Sequence, residues 1–216
     1  MPSLLLAEWA IAALVMALLW LWHVRTRNAR IADAAFTGLI AAFAIADARL
    51  GQGFGPRRAA MAFMMGSWGL RLMVNLLYIR VFGRQESGWP VAFRARWGER
   101  ANAQFFWSFQ ALAALAALGS VPALIVSMNG APDFSTVELI AAGAWIVAFA
   151  AETTADRQLL QFTSNPANAG HTCRKGLWRY SRHPDYWCEG LTWAAFAVFA
   201  FAPQLTTSVF DPWLRR

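Results

Sequence analysis

The chain has 216 residues, of which 58% are hydrophobic and 14% charged, with twelve Trp and sixteen Phe. So much apolar and aromatic surface exceeds what one soluble core of this length needs, and the bilayer is the better solvent for it. The net charge of +7 is almost wholly arginine, with Lys175 the single lysine. These arginines sit in short loops between apolar runs, a pattern of membrane topology and phosphate binding rather than of a nucleic-acid partner.

A spanning helix takes about 20 apolar residues to cross roughly 30 Å of hydrocarbon. Leu4–His23 meets that length, lacks a basic region before it, and is expected to be its own insertion signal. Arg25, Arg27 and Arg30 form a basic loop, and a weaker span follows over about 33–50 with Asp33 and Asp47 near its ends. Gly51–Pro56 is a turn, with Arg57 and Arg58 after it. A third span, about 59–82, is interrupted by Arg71 and Asn75. Gly83–Ala103, with Arg84, Arg94, Arg96 and Arg100, is too polar to span and is expected at the interface.

A fourth span covers about 104–128, where Pro122 predicts a kink. A fifth begins near Val137 and continues in helical style to about Phe162. The loop 163–183 follows, then a sixth span over about 184–210. With no long-period repeat and no low-complexity linker, the expectation is a single membrane-embedded domain over 1–216. Its class is all-α, a polytopic membrane helix bundle of about six transmembrane helices. Loops after the first, third and fifth spans hold eleven Lys/Arg against about five on the other side. Basic excess marks the cytoplasmic side of short loops, so the N-terminus is expected outside and the loop 163–183 in the cytoplasm. The alanine and arginine bias points to a bacterial inner membrane. The two cysteines, Cys173 and Cys188, have neither metal-ligand spacing nor a disulfide framework, and no metal is expected.

Three groups of residues can carry chemistry. Glu152 and Asp156 are four apart on the fifth helix and share a face. Desolvated carboxylates need a partner, either a ligand or a structural ion pair with Arg71, Arg174 or Arg182. On the third helix Trp68, Arg71, Asn75 and Tyr78 fall on one face. Arg71 lies halfway along an apolar run and must meet a carboxylate or a ligand, while Tyr78 is either a proton donor to a bound carbonyl or an interfacial anchor. The third group is Gly176–Gly190, G-L-W-R-Y-S-R-H-P-D-Y-W-C-E-G. Pro184 suits a first helical turn, where its missing N–H costs nothing. His183 then sits near the cap, with Asp185 and Glu189 in the first turns. Arg174, Lys175, Arg179 and Arg182 suit a diphosphate, and Trp178, Tyr180 and Tyr186 offer flat faces for a base or ring. The alternative is a basic, aromatic loop that touches lipid headgroups.

The stretch G-L-W-R-Y-S-R-H-P-D-Y-W-C-E resembles the signature G-L-W-x-Y-S-R-H-P-N-Y-x-G-E of bacterial membrane proteins related to steroid 5-alpha-reductases. Upstream, A-E-T-T-A-D-R-Q-L-L-Q-F is similar to that family's helix ending in D-x-Q-L-x-x-F. S-W-G-L-R-L resembles its W-x-x-R-L element, and D-A-A-F from Asp33 its D-x-x-W. The resemblance covers about residues 30–195. It implies NADPH as cofactor and reduction of an activated carbon–carbon double bond in a lipophilic substrate such as an enone lipid or steroid. By position, Glu152, Asp156, Arg179, Tyr180, Arg182, His183, Asp185 and Glu189 match residues that line or border the family's NADPH site. Arg174, Lys175 and Tyr186 complete the expected cofactor-binding set. Tyr78 and Glu189 are the expected catalytic residues, and Trp68, Arg71 and Asn75 the substrate pocket. Residues 1–103 would then be the substrate side and 104–216 the nucleotide side.

The chain departs from that pattern at Asp185, where the family has Asn, and at Cys188, where it has Gly. It also stops at Arg216, where the family continues into further helix and a tyrosine-bearing tail. A shortened homologue, a fragment and a non-enzymatic protein that keeps the fold are the readings this leaves open. Isoprenylcysteine-type membrane methyltransferases, which use S-adenosylmethionine, also contain R-H-P-x-Y; the E-x-x-x-D-x-Q helix favours the reductase.

Overall fold

Inside a bilayer the backbone N–H and C=O groups have no water to bond, so a chain this apolar must satisfy them within its own helices. The computed structural model describes the backbone of residues 2–82, 86 and 88–214, with side chains as far as Pro203. Arg84, Arg215 and Arg216, used above in the basic count, lie outside the described residues. Among the described residues seven helices follow in order: α1 (Pro2–Thr26), α2 (Ile31–Leu50), α3 (Gly55–Leu76), α4 (Trp89–Trp97), α5 (Ala101–Met128), α6 (Thr136–Thr163) and α7 (Pro184–Leu214). There is no strand among them. Five stretches are long and apolar enough to cross a membrane: α1, α2, α3 with its extension to Val81, α4 with α5, and α6. α7, at 31 residues, is the sixth long helix. The fold is all-α and of the multi-pass membrane class.

Most helices overrun the apolar runs that announced them, because backbone hydrogen bonding continues into the interface after the side chains turn polar. α1 stops where Arg27 takes a left-handed φ of 53°. α3 runs into a π-helical turn, Leu77–Val81, closed by Phe82 N–H donating to the Leu77 carbonyl at 2.9 Å. Pro122 lies within α5, which continues as one helix to Met128. The interfacial segment holds the short helix α4.

The chain folds as two compact units, Met1–Gly130 and Ala131–Arg216. In the first, α1, α2, α3 and α5 pack together, so α5 belongs with the N-terminal helices. α2 and α3 approach closely at Gly69, where a Cβ would come within 2.5 Å of the Thr37 carbonyl oxygen. Small residues at a helix crossing let dispersion replace the hydrophobic drive that lipid removes. Polar clasps add direction: Glu8 accepts from Ser120 Oγ at 2.5 Å, and Trp20 Nε1–H donates to the Asn102 carbonyl at 2.8 Å. Arg58 closes the α2–α3 turn by donating to the carbonyls of Ala48 (2.6 Å), Gly51 (2.5 Å) and Gly53 (2.8 Å). At the other end of α2, Glu86 accepts from Ala29 N–H at 2.7 Å and pairs with Arg94 of α4 at 3.0 Å.

In the second unit α6 and α7 pack side by side. α6 begins with a capping box: Glu138 N–H donates to Ser135 Oγ at 3.2 Å, and Ser135 N–H donates to Glu138 Oε2 at 2.7 Å. α7 begins at Pro184, whose fixed φ and absent N–H suit that first position. Buried Trp145, Ala148 and Ala155 of α6 and Phe196 and Phe199 of α7 supply apolar packing.

Candidate anion-binding site

The loop between α6 and α7 does not hang free. Gly176 begins a 3-10 turn, Gly176–Arg179, with a φ of +58° that an L side chain rarely adopts. A Cβ there would also overlap the carboxamide of Gln158. That carboxamide is held in place, because its Oε1 accepts the Leu177 N–H at 2.9 Å. One residue on, Trp178 Nε1–H donates to the Ala155 carbonyl at 3.0 Å. These two bonds lash the signature segment to α6 at Ala155 and Gln158, on either side of Asp156.

Docking the loop this way forms a half-open cavity of about 930 Å³ in the second unit. That lies near the top of the usual range for small-molecule sites, roughly 300–1,000 Å³. Leu159, Phe162 and Trp178 form its apolar lining, and Arg174, Arg179, Arg182, His171 and His183 bring the charge and ring nitrogens. Tyr180 also lines it and is 83% exposed, so its ring is available to a ligand. Among the described residues, Arg174, Lys175, Arg179 and Arg182 have no hydrogen-bond or ion-pair partner. Several cations around one concavity with no carboxylate between them repel one another, and an anion relieves that cost.

Around this cavity the other residues singled out from sequence take distinct places. His183 stacks on Tyr186 with ring centroids 4.9 Å apart and planes 10° apart, and its N–H donates to Ser181 Oγ at 3.1 Å. Asp185, in the first turn of α7, keeps Oδ1 buried without a hydrogen-bond partner among the described residues. Glu189 accepts Trp193 Nε1–H at 2.8 Å. Glu152 is buried on α6, and Asp156 is half-buried one turn further along. Of the expected cofactor set, therefore, Arg174, Arg179, Tyr180, Arg182 and His183 line the cavity. Lys175, Glu152, Asp156, Asp185, Tyr186 and Glu189 do not.

The remaining candidates lie in the first unit. Trp68 is buried, and Arg71 and Asn75 are half-buried on α3. Tyr78 falls inside the π turn and is 67% exposed. Sequence reasoning passed over Gln158 as an anchor and His171 as a lining residue. Gln158 had a signal, since it is the Gln of the D-x-Q-L element. His171 had none, because it is an isolated His in a polar loop.

The donor set suits a nucleotide with phosphate groups. Guanidinium groups match phosphate oxygens in pairs, and exposed aromatic faces accept a base. A buried carboxylate oxygen without a donor, as at Asp185 among the described residues, is costly.

An all-α fold of the multi-pass membrane class, with an arginine-lined cavity beside the start of α7 among the described residues, defines the class of this protein. The chain belongs to the family DUF1295, described as a protein of unknown function, which matches residues 19–213. No curated protein and no solved structure matches it.

Proposed function

We propose that the protein is an integral-membrane, NADPH-dependent reductase of an activated carbon–carbon double bond in a lipophilic substrate. The observation that carries this reading is the cavity beside α6, lined by Arg174, Arg179 and Arg182, none of which has a partner among the described residues. A coenzyme with three phosphates answers that charge.

When bound, the dihydronicotinamide supplies a hydride to the β carbon of an enone, and a proton then reaches the α carbon. The chain's own share is positional. Arg174, Arg179 and Arg182 hold phosphates, with Lys175 adding charge nearby, and Tyr180 and the His183–Tyr186 stack offer faces to the base or ring. Roles for Asp185, Glu152 and Asp156 toward the ribose and carboxamide, from outside the cavity lining, rest on the sequence resemblance. Glu189, which accepts the Trp193 Nε1–H, acts beside the ring. Tyr78 as proton donor, and Trp68, Arg71 and Asn75 as substrate contacts, rest on the sequence resemblance alone. By the basic-residue count the cavity faces the cytoplasm of a bacterial inner membrane, where NADPH is made.

The test is thermal stabilisation of the detergent-purified protein by NADPH, NADH and S-adenosylmethionine. A ligand that binds only the native state raises stability by mass action, about 2.7 kcal/mol at a hundred times Kd. NADPH should raise the melting temperature, and Arg182→Ala and Glu152→Ala should each remove the shift. A shift with S-adenosylmethionine alone would make the protein a methyltransferase, and no shift with any of the three would leave the fold without this chemistry.

A further inference from the structure

Between α2 and α3 the first unit carries a second concavity, a groove of about 560 Å³. Ala48 on α2 and Ala62 and Gly66 on α3 are buried or half-buried in it, while Ile45, Phe63 and Leu70 stand exposed at its sides. Gly66 leaves the room: a Cβ there would only just touch Ile45, at 3.5 Å. A larger side chain at Gly66 would therefore fill the groove.

One end of the groove is cationic. Arg49 lines it, one residue before the end of α2, exposed and with no hydrogen-bond or ion-pair partner among the described residues. Arg58 lines it too, but its guanidinium is committed to the carbonyls of Ala48, Gly51 and Gly53. Arg49 thus sits at the interfacial depth of a spanning helix, and an apolar slot leads away from it along two spans.

An apolar slot with one unpaired cation at its mouth is complementary to a lipid that carries a negative headgroup. We propose that this groove seats one acyl chain of an anionic phospholipid, with the phosphate on Arg49. The occupant follows from the surroundings, since lipid is the solvent of both helices, and from charge. A narrow slot floored by Ala and Gly admits a methylene chain through dispersion contacts. The arginine adds a charge-assisted hydrogen bond that a zwitterionic headgroup answers less well.

Native mass spectrometry of the full chain, released from detergent after addition of dioleoyl phosphatidylglycerol or dioleoyl phosphatidylcholine, reads this directly. The wild type should retain one phosphatidylglycerol, in preference to phosphatidylcholine by roughly ten-fold, the scale of one charge-assisted bond. Arg49→Gln should remove the preference while leaving acyl binding, and it should leave the fold alone because Arg49 makes no side-chain hydrogen bond or ion pair among the described residues. Gly66→Leu should remove retention of both lipids with the melting temperature little changed; if that variant unfolds, Ala48→Leu blocks the slot from the other helix. Equal retention of the two lipids by the wild type overturns the proposal, as does retention that neither variant alters. Displacement of phosphatidylglycerol by inorganic phosphate would make Arg49 a simple anion site, and a dimer mass in place of bound lipid would seat a second copy there; either result overturns it.

Discussion

Replacing Gly176 by Ala tests the docked loop at its most constrained point. The backbone there has a φ of +58°, in the left-handed region, where an L residue costs roughly 1–2 kcal/mol. The new Cβ also overlaps the Gln158 carboxamide, so the Leu177 N–H bond at 2.9 Å must break, at about 0.5–1.5 kcal/mol. Together the loop should loosen by about 2–3 kcal/mol. At 1.36 kcal/mol per factor of ten, amide exchange at Leu177 should speed up roughly 30–150-fold. Hydrogen exchange followed by mass spectrometry of peptides from 172–182 measures this, with peptides from α6 and α7 as unchanged references. In a Gln158→Ala background the bond is already gone and the overlap relieved, so Gly176→Ala should cost only its conformational part. The two substitutions should therefore couple by about 1 kcal/mol. Unaltered exchange at Leu177 in the single variant would refute the docking geometry, and strict additivity would refute the contact.

Ser135→Ala removes one half of the α6 capping box and should lower thermal stability by about 1 kcal/mol, with ligand binding intact. Gly69→Leu forces the α2–α3 crossing apart, because the atom it would strike, the Thr37 carbonyl oxygen at 2.5 Å, is backbone. A cost of about 1–3 kcal/mol is expected, seen as a lower melting temperature in the same detergent. If arginines hold phosphates in an open cavity, stabilisation by NADPH should weaken as salt rises, since screening lengths fall from about 10 Å at 0.1 M to 3 Å at 1 M. A salt-independent shift would place the ligand elsewhere.

What the sequence by itself determined is whatever local rules control. Runs of about 20 apolar residues force helices because lipid offers the backbone no partner, and all six long helices were legible on that ground. Pro184 at the start of α7 is read from one ring's geometry. The crowding of Arg174, Arg179, Arg182 and His183 was visible because these residues are neighbours in the chain. The tertiary structure alone decided which of them share a cavity. Leu177 is 19 residues from Gln158 and Trp178 is 23 from Ala155, and no periodicity reports such bonds. Only packing turned Gln158 from a motif letter into the anchor of the loop, brought His171 into the cavity that Arg182 lines, and placed α5 with the helices before it. The groove at Gly66 is of the same kind. A glycine in an apolar helix reads as tolerance until the neighbouring helix shows the space it leaves open.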